Sequence, residues 1–261
     1  MTTTSQPPKR VCFFCDETKL TREHLWPNWI VRLFEEHTSW TAGSALIESG
    51  QSREWLQSTM ESKSKCVCKA CNEGWMSNLE QSVKPILAPL IVGSENAKRL
   101  SGEEQRILAS WVILRSMIWE SQAPEKSRYH SVTDRRLFAA GKPLVPPQNA
   151  HVWLASFPSH GQGATHMLHT RVKSDDPRGF AVFSGFVGEV ALQVFFWRGF
   201  PKTELTLDGN PVIDLRRLTT SVWNRQTIQI WPVVRTRLRW PPEIALCEDS
   251  AIAFLNRFVP R

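Results

Sequence analysis

The sequence has a single tyrosine and no long apolar segment, although it contains twelve tryptophans among its 261 residues. No run of about 18 apolar residues occurs, so the sequence predicts neither a membrane-spanning helix nor a membrane partner. The N-terminal residues are polar, contain two prolines and lack the apolar core of a signal peptide. We therefore expect a disordered leader at residues 1–10 and a cytoplasmic protein.

Acidic residues are missing from one part of the chain. The formal net charge is +7, yet residues 1–80 are close to neutral, and residues 215–242 contain no Asp or Glu but six arginines. Three of these, Arg235, Arg237 and Arg239, alternate and would project from one face of a strand. That row could follow a phosphate backbone, or it could be the solvent-facing side of a sheet. The sequence leaves both interpretations open.

The sequence predicts an α+β fold with a small metal-bound module, a helical segment and an antiparallel β-rich region. We place the module at residues 11–82, the helical region at 83–145, and the β-rich region with a C-terminal helix at 146–261. The β-rich part contains short β-branched or aromatic runs separated by Gly, Pro and Asp. These runs are HVWLASF, THMLHTRVK, GFAVFSGFVG, EVALQVFFW and TIQIWPVV.

Helix signals are clear at several positions. A short amphipathic helix is expected at 27–37 and a last helix at 250–258. A helix should begin at Cys68, with Pro85 marking its end. Ser101 and Glu104 form a Ser-x-x-Glu capping box ahead of a helix near 102–121. Apolar residues follow in that helix at helical spacing: Ile107, Leu108, Trp111, Leu114 and Ile118.

Six cysteines in a reducing compartment are more typical of metal ligands than of disulfides. Two Cys-x-x-Cys pairs supply the four thiolates of a tetrahedral structural zinc site. Cys66 offers a third sulfur beside the second pair, but a Cys-x-x-Cys entering a helix favours Cys68. Cys247 is isolated and is interpreted as a small apolar residue. The predicted ligands are Cys12, Cys15, Cys68 and Cys71.

Glu23-His24 follows the first cysteine pair in LTREHLWP, and Asn72 follows the second in CNEGWMSNLE. Over residues 12–80 the sequence resembles the HNH endonucleases of the His-Me finger (ββα-metal) superfamily, in particular the zinc-stapled treble-clef type. The resemblance implies a metal-dependent hydrolase that cleaves the phosphodiester bonds of DNA. It implies His24 as general base and Glu23 with Asn72 as ligands of a catalytic Mg²⁺ or Mn²⁺.

Other residues of this region have weaker or simpler interpretations. Asn78 is a candidate for a supporting role, and Glu80 is read as a solvated helix charge. Trp26, Trp29 and Trp75 are expected to pack around the zinc module. The 43 residues between His24 and Cys68 imply an insertion.

The family's middle Asn has no counterpart in the stretch from Glu61 to Lys65, which leaves a non-catalytic alternative open. In that alternative the zinc module binds nucleic acid or a protein partner. A third interpretation is a structural zinc domain in an oligomeric assembly, where the basic part meets an acidic partner. The C-terminal region could serve specificity or homo-oligomerisation. Family analogy alone places the nuclease in phage or mobile-element defence.

Overall fold

The computed structural model describes most of the chain between residues 10 and 256. The described residues are 10–34, 40–46, 51–57, 61–93, 97–125, 128–141, 144–158, 165–171, 179–198, 204–207, 210–214 and 223–256. The predicted leader, apart from Arg10, lies outside them.

The chain contains both strands and helices, and its sheets are antiparallel, as expected for an α+β fold. The strands are β1 (Leu20–His24), β2 (Trp40–Leu46), β3 (Gln51–Gln57), β4 (Lys63–Cys68), β5 (Lys98–Ser101), β6 (Ala150–Ser156), β7 (Thr165–Arg171), β8 (Gly179–Val187), β9 (Val190–Arg198), β10 (Glu204–Leu207), β11 (Asn210–Asp214), β12 (Thr227–Trp231) and β13 (Arg237–Trp240). The helices are α1 (Asn28–Arg32), α2 (Lys69–Cys71), α3 (Ser77–Ile91), α4 (Gly102–Glu120), α5 (Val132–Ala140), α6 (Trp223–Gln226) and α7 (Glu248–Asn256). None of the helices the structure describes is long and apolar enough to cross a bilayer.

The N-terminal module consists of an antiparallel β1–β4 pair followed by a helix. Leu20 lies opposite Cys68 and His24 opposite Lys63, with a register shift between Thr21 and Arg22. Between these two strands, β2 and β3 form an antiparallel hairpin that occupies the predicted insertion. An antiparallel strand pair and a helix therefore lie next to the two cysteine pairs.

The helix predicted from Cys68 continues past Pro85, contrary to the expectation that this proline ends it. A wide turn at Asn72–Met76, with Gly74 outside helical geometry, joins α2 to α3. Helix α3 then runs to Ile91 with Pro85 and Pro89 inside it. A proline inside a helix costs about 3 kcal/mol. Burial of each large apolar side chain stabilises the fold by about 1.5–3 kcal/mol. The side chains that α3 buries are Leu79, Val83, Ile86, Leu87, Leu90 and Ile91.

Helix α4 is the central element of the core. The predicted capping box is confirmed, because Ser101 Oγ accepts from the Glu104 amide at 3.2 Å and Glu104 Oε2 accepts from the Ser101 amide at 2.8 Å. Most of the helix is buried, including Trp111, and α3 packs against it. One continuous core joins the zinc module, α3, α4 and the main sheet. The proposed domain boundaries stay a prediction.

The β-rich region contains a five-stranded antiparallel sheet in the order β12-β6-β9-β8-β7. One face, with Val152, Leu154 and Val194, belongs to the core around α4, and the other packs on α7 through Phe254. Strand β5 lies in the region expected to be helical, where it pairs with β13. This pairing joins the start of α4 to the C-terminal part of the chain.

Gly188, in the β8–β9 turn, should tolerate no side chain. Its φ is +52°, and an added Cβ would lie 2.3 Å from the Ile91 carbonyl oxygen, which also accepts a hydrogen bond from Glu189. We expect Gly188→Ala to lower the free energy of unfolding by about 2–4 kcal/mol, measured by urea denaturation, because strain and overpacking add.

Gly102→Ala is the matched control for this prediction. At the first turn of α4 the new methyl group would lie 3.8 Å from Val233 Cγ1, an ordinary van der Waals contact. Alanine also favours the helix over glycine, so this variant should be as stable as the parent or slightly more so. Equal midpoints of urea denaturation for Gly188→Ala and Gly102→Ala would contradict the expected strain at Gly188.

Candidate functional site

The four predicted zinc ligands converge. The sulfurs of Cys12, Cys15, Cys68 and Cys71 all lie within 4.8 Å of one another. Cys15 Sγ is 3.6 Å from Cys68 Sγ and 3.9 Å from Cys71 Sγ. A tetrahedral zinc with bonds of about 2.3 Å places its sulfurs about 3.8 Å apart. The donor set and its spacing therefore fit a zinc ion.

Backbone geometry holds these sulfurs in place. Cys68 ends β4 and caps α2, where its sulfur accepts from the Cys71 amide at 3.4 Å. The Cys68 amide donates in turn to Cys12 Sγ at 3.3 Å. Cys68 rather than Cys66 thus joins the cluster. Cys66 is buried, and its thiol lies near Ser64 and Ser121.

The electrostatics of the cluster disfavour several adjacent thiolates when no cation is bound. Burial raises the pKa of the Cys15 thiol to about 11 and also raises the pKa of Cys71. Burial opposes ionisation of Cys68 as well, but hydrogen bonds from Cys71 and the other thiols lower its pKa. Four adjacent thiolates are stable only beside a positive charge, which a divalent ion such as zinc supplies.

The first cysteine knuckle is anchored to the helical region by its two phenylalanines. The Arg135 guanidinium lies 3.8 Å from the centre of the Phe13 ring. Phe14 contacts Trp75 edge-on, with ring centroids 5.1 Å apart, and Trp75 contacts Phe138 in the same way. Trp75 therefore packs against the module, as its sequence context predicted.

Glu23 lies in a buried ion cluster. Its side chain is 7% exposed, and Oε1 accepts a hydrogen bond from Arg115 Nη1 at 3.0 Å. The same nitrogen donates to the backbone carbonyl of His24 at 3.0 Å. Arg115, with no exposed side-chain surface, also lies 3.3 Å from a carboxylate oxygen of Glu80. Burial raises the pKa of Glu80, which is therefore not the solvated helix charge expected.

His24 is more accessible and has a carboxylate partner. Its side chain is 25% exposed, and Nε2 lies 2.9 Å from Glu61 Oε1. Lys63 also contacts Glu61, at 2.6 Å. Hydrogen bonds from Lys63 and from His24 lower the pKa of Glu61, so this carboxylate is ionised and suited to orient the imidazole.

Asn72 reaches the strand that carries Glu23 and His24. Its side-chain amide donates to Thr21 Oγ1 at 3.3 Å and approaches the Arg22 carbonyl at 3.5 Å. The structure thus brings Asn72 beside β1, immediately before the Glu23-His24 pair. Among the contacts of the described residues, the carboxylate of Glu23 goes to Arg115 rather than to Asn72. Asn78, the weaker candidate, is exposed.

Two residues of this site were not predicted from the sequence. Arg115 stands four positions after Trp111 and seven after Leu108, so it shares the apolar stripe of α4, and a charge at that spacing was a usable signal. Glu61 lies in the stretch where an Asn was sought. Its pairing with His24 joins residues 37 positions apart and has no local signature.

The predicted row of three arginines is present only in part. Arg237 and Arg239 belong to β13, and both are exposed. Arg235 is exposed too, but it precedes the strand.

Comparison with known proteins identifies no relative of this chain. No protein-family model, no curated protein and no solved structure matches it. The interpretation of the site therefore depends on its own geometry and on the resemblance of its motifs.

Proposed function

We propose that the chain is an HNH-type, metal-dependent endonuclease that hydrolyses phosphodiester bonds of DNA, with His24 as general base. The observation that carries the proposal is the His24–Glu61 pair. A partly exposed imidazole is held at 2.9 Å by a carboxylate, at the end of a strand tied to the four-cysteine cluster. The zinc-stapled motif and the adjacent Asn72 support the same assignment.

The hydrogen bond to Glu61 defines which nitrogen of His24 is the base. With Nε2 donating its hydrogen to the carboxylate, the lone pair is on Nδ1. Nδ1 then takes a proton from the attacking water, and Glu61 stabilises the imidazolium that forms. The attacking oxygen forms a bond to phosphorus while the leaving oxygen departs and is protonated by solvent.

The resemblance assigns a Mg²⁺ or Mn²⁺ ion to Glu23 and Asn72. Such an ion would stabilise the negative charge that develops on the phosphate. The amide of Asn72 fits that role, because the nitrogen of the amide makes the contacts with β1 and its carbonyl oxygen suits a hard cation. Glu23 does not fit it while its Oε1 is bonded to Arg115 in a buried environment.

His24→Ala is the direct test of the proposal. With Mg²⁺ or Mn²⁺ present, the parent protein should cleave plasmid DNA, and this variant should be slower by about 10²-fold or more. Glu61→Gln keeps the size of the side chain but loses its charge, and should be slower by about 10- to 100-fold.

Glu73→Gln is the control, because Glu73 is exposed and pairs with Lys69, four residues earlier, at 3.6 Å. All variants should keep the zinc content and melting temperature of the parent. Cleavage by His24→Ala at the parental rate would rule out this base.

A non-catalytic zinc module that binds nucleic acid or a protein partner is the second candidate. The observation that favours it is the Glu23–Arg115 pair, which occupies a carboxylate that a catalytic cation would need. In that case the parent and His24→Ala would be equally inert in the plasmid assay. Both would still bind DNA, with a steep dependence on salt.

A further inference from the structure

The two-stranded sheet formed by β5 and β13 has two different faces. Leu100, Leu238 and Trp240 point into the core, with 0%, 8% and 4% of their surfaces exposed. The opposite face carries Arg99, Arg237 and Arg239, all exposed. We call these three residues the arginine face.

Sheet pairing concentrates positive charge on the arginine face. Arg239 is the direct cross-strand partner of Arg99, and Arg237 lies two residues before Arg239 on the same side of β13. Like charges directly opposite each other destabilise a sheet. None of the three makes an ion pair with a carboxylate in the described part of the chain. The fold therefore keeps a repulsive arrangement that an anionic ligand would relieve.

The carboxylate of Glu104, in the first turn of α4, is already engaged. Glu104 accepts hydrogen bonds from the amide and hydroxyl of Ser101, and its other oxygen lies 3.4 Å from Lys98. These bonds, together with the charge of Lys98, hold the pKa of Glu104 below its ordinary value despite its partial burial. Glu104 thus serves the helix cap and does not neutralise the arginine face.

The sheet beneath the arginines is firmly held. Gln105 is fully buried, and its side-chain amide donates to the carbonyls of Leu100 at 3.1 Å and Arg235 at 3.0 Å. One side chain of α4 therefore ties β5 to the segment that enters β13. These bonds fix the backbone from which the arginines project, so the strands themselves need not rearrange on binding.

We propose that the arginine face binds the phosphate backbone of duplex DNA at a site separate from His24. This proposal rests on the proposed function, because the DNA bound by the arginine face is taken to be the substrate of the nuclease. Arg237 and Arg239 are separated by two residues of a strand, about 6.7 Å, and guanidinium groups form bidentate bonds with phosphates. Since Leu238 between them is buried, the face offers charge with little apolar surface. Protein interfaces, by contrast, have few charges at their centres.

The arginine face is distant from the catalytic residues along α4. Arg99 lies just before the start of this helix, and Arg115, which contacts Glu23 and the His24 backbone, lies near its end. The rise along the helix between them is roughly 20 Å. Loss of the arginine face should therefore weaken DNA binding without altering the geometry at His24.

The test compares two triple variants of the zinc-loaded full chain by fluorescence anisotropy with a labelled duplex of about 30 base pairs. Arg99→Gln, Arg237→Gln and Arg239→Gln together should weaken binding about 10-fold or more at 100 mM salt. The slope of log affinity against log salt should become shallower by about 0.9 for each lost phosphate contact. The control triple removes the same charge from three exposed residues elsewhere: Lys84→Gln, Arg136→Gln and Arg225→Gln.

The control should bind within about 3-fold of the parent, since at 100 mM salt charges more than about 10 Å from the bound DNA are largely screened. Equal losses in the two triples, or no DNA binding by the parent, would overturn the proposal. Competition with polyglutamate would overturn it as well, if polyglutamate displaced the labelled duplex as effectively per charge as unlabelled DNA does. The partner would then be an acidic protein. If the parent binds DNA through these arginines but does not cleave it, the arginine face stands and the nuclease assignment fails.

Discussion

Cys68→Ser should abolish zinc binding and unfold the N-terminal module. The substitution removes one of four converging sulfurs and also the acceptor for the Cys71 amide. Structural zinc sites contribute about 10–16 kcal/mol of apparent binding free energy, which is available only to the folded chain. We expect the zinc content, measured by elemental analysis, to fall from about one ion per chain to nearly none.

The destabilisation should extend beyond the module. Cys12 and Cys68 belong to the same continuous core as Leu108 and Val152, so loss of the metal exposes surface that α4 and the sheet also bury. A loss of several kcal/mol in a chain of this size should lower the melting temperature by roughly 10 °C or more. Calorimetry would detect the change.

Two other cysteines provide matched controls. Cys66→Ser alters the same strand two residues earlier, and Cys247→Ser alters an exposed thiol near α7. Both variants should keep a full complement of zinc, with a modest loss of stability for the buried Cys66. Retention of zinc by Cys68→Ser together with its loss in Cys66→Ser would show that the ligand assignment is wrong.

Arg115→Met should destabilise the protein by about 3–5 kcal/mol, because it leaves the Glu23 carboxylate buried without its partner. Methionine approximates the length and volume of the arginine stem, so the main change is loss of charge and hydrogen bonds. Arg115 is fully buried and holds both Glu23 and the His24 carbonyl. The free energy of unfolding in urea measures the loss.

A second substitution distinguishes an ion-pair effect from simple disruption of packing. Adding Glu23→Met to Arg115→Met removes the stranded carboxylate, and the double variant should recover a large part of the lost stability. Arg225→Met is the control, since Arg225 forms an exposed pair with Glu243 and its loss should leave stability almost unchanged. A double variant less stable than the single one would contradict the interpretation.

The Arg115 cluster also bears on the proposed mechanism. The bond from Arg115 to the His24 carbonyl fixes the end of β1, and the bond from His24 to Glu61 fixes its imidazole. Because these restraints come from α4 and from the start of the segment leading into β4, the candidate base is held by elements that are distant in sequence. Arg115→Met should therefore also reduce any cleavage activity.

Features of the fold that depend on neighbouring residues could be predicted from the sequence. The Ser101–Glu104 capping box, the start of α4 and the short strands of the main sheet all follow from contacts within a few positions or from alternating side chains. The two cysteine pairs belong to the same class, since a Cys-x-x-Cys turn presents both sulfurs on one side. Helix α1 ends earlier than expected, at Arg32, where the turn formed by Leu33 and Phe34 follows.

The sequence by itself therefore determined the four thiolates, helix α4 and the strands of the main sheet, because spacing along the chain is enough to define them. Tertiary structure decided the partners of the charged groups. Arg115 pairs with Glu23, Glu61 with His24, and Arg99 lies across from Arg239. Tertiary packing also explains why α3 continues past Pro85, since the apolar surface buried against α4 outweighs the lost hydrogen bonds. Each of these outcomes depends on burial and on contacts between distant segments, which no local pattern encodes.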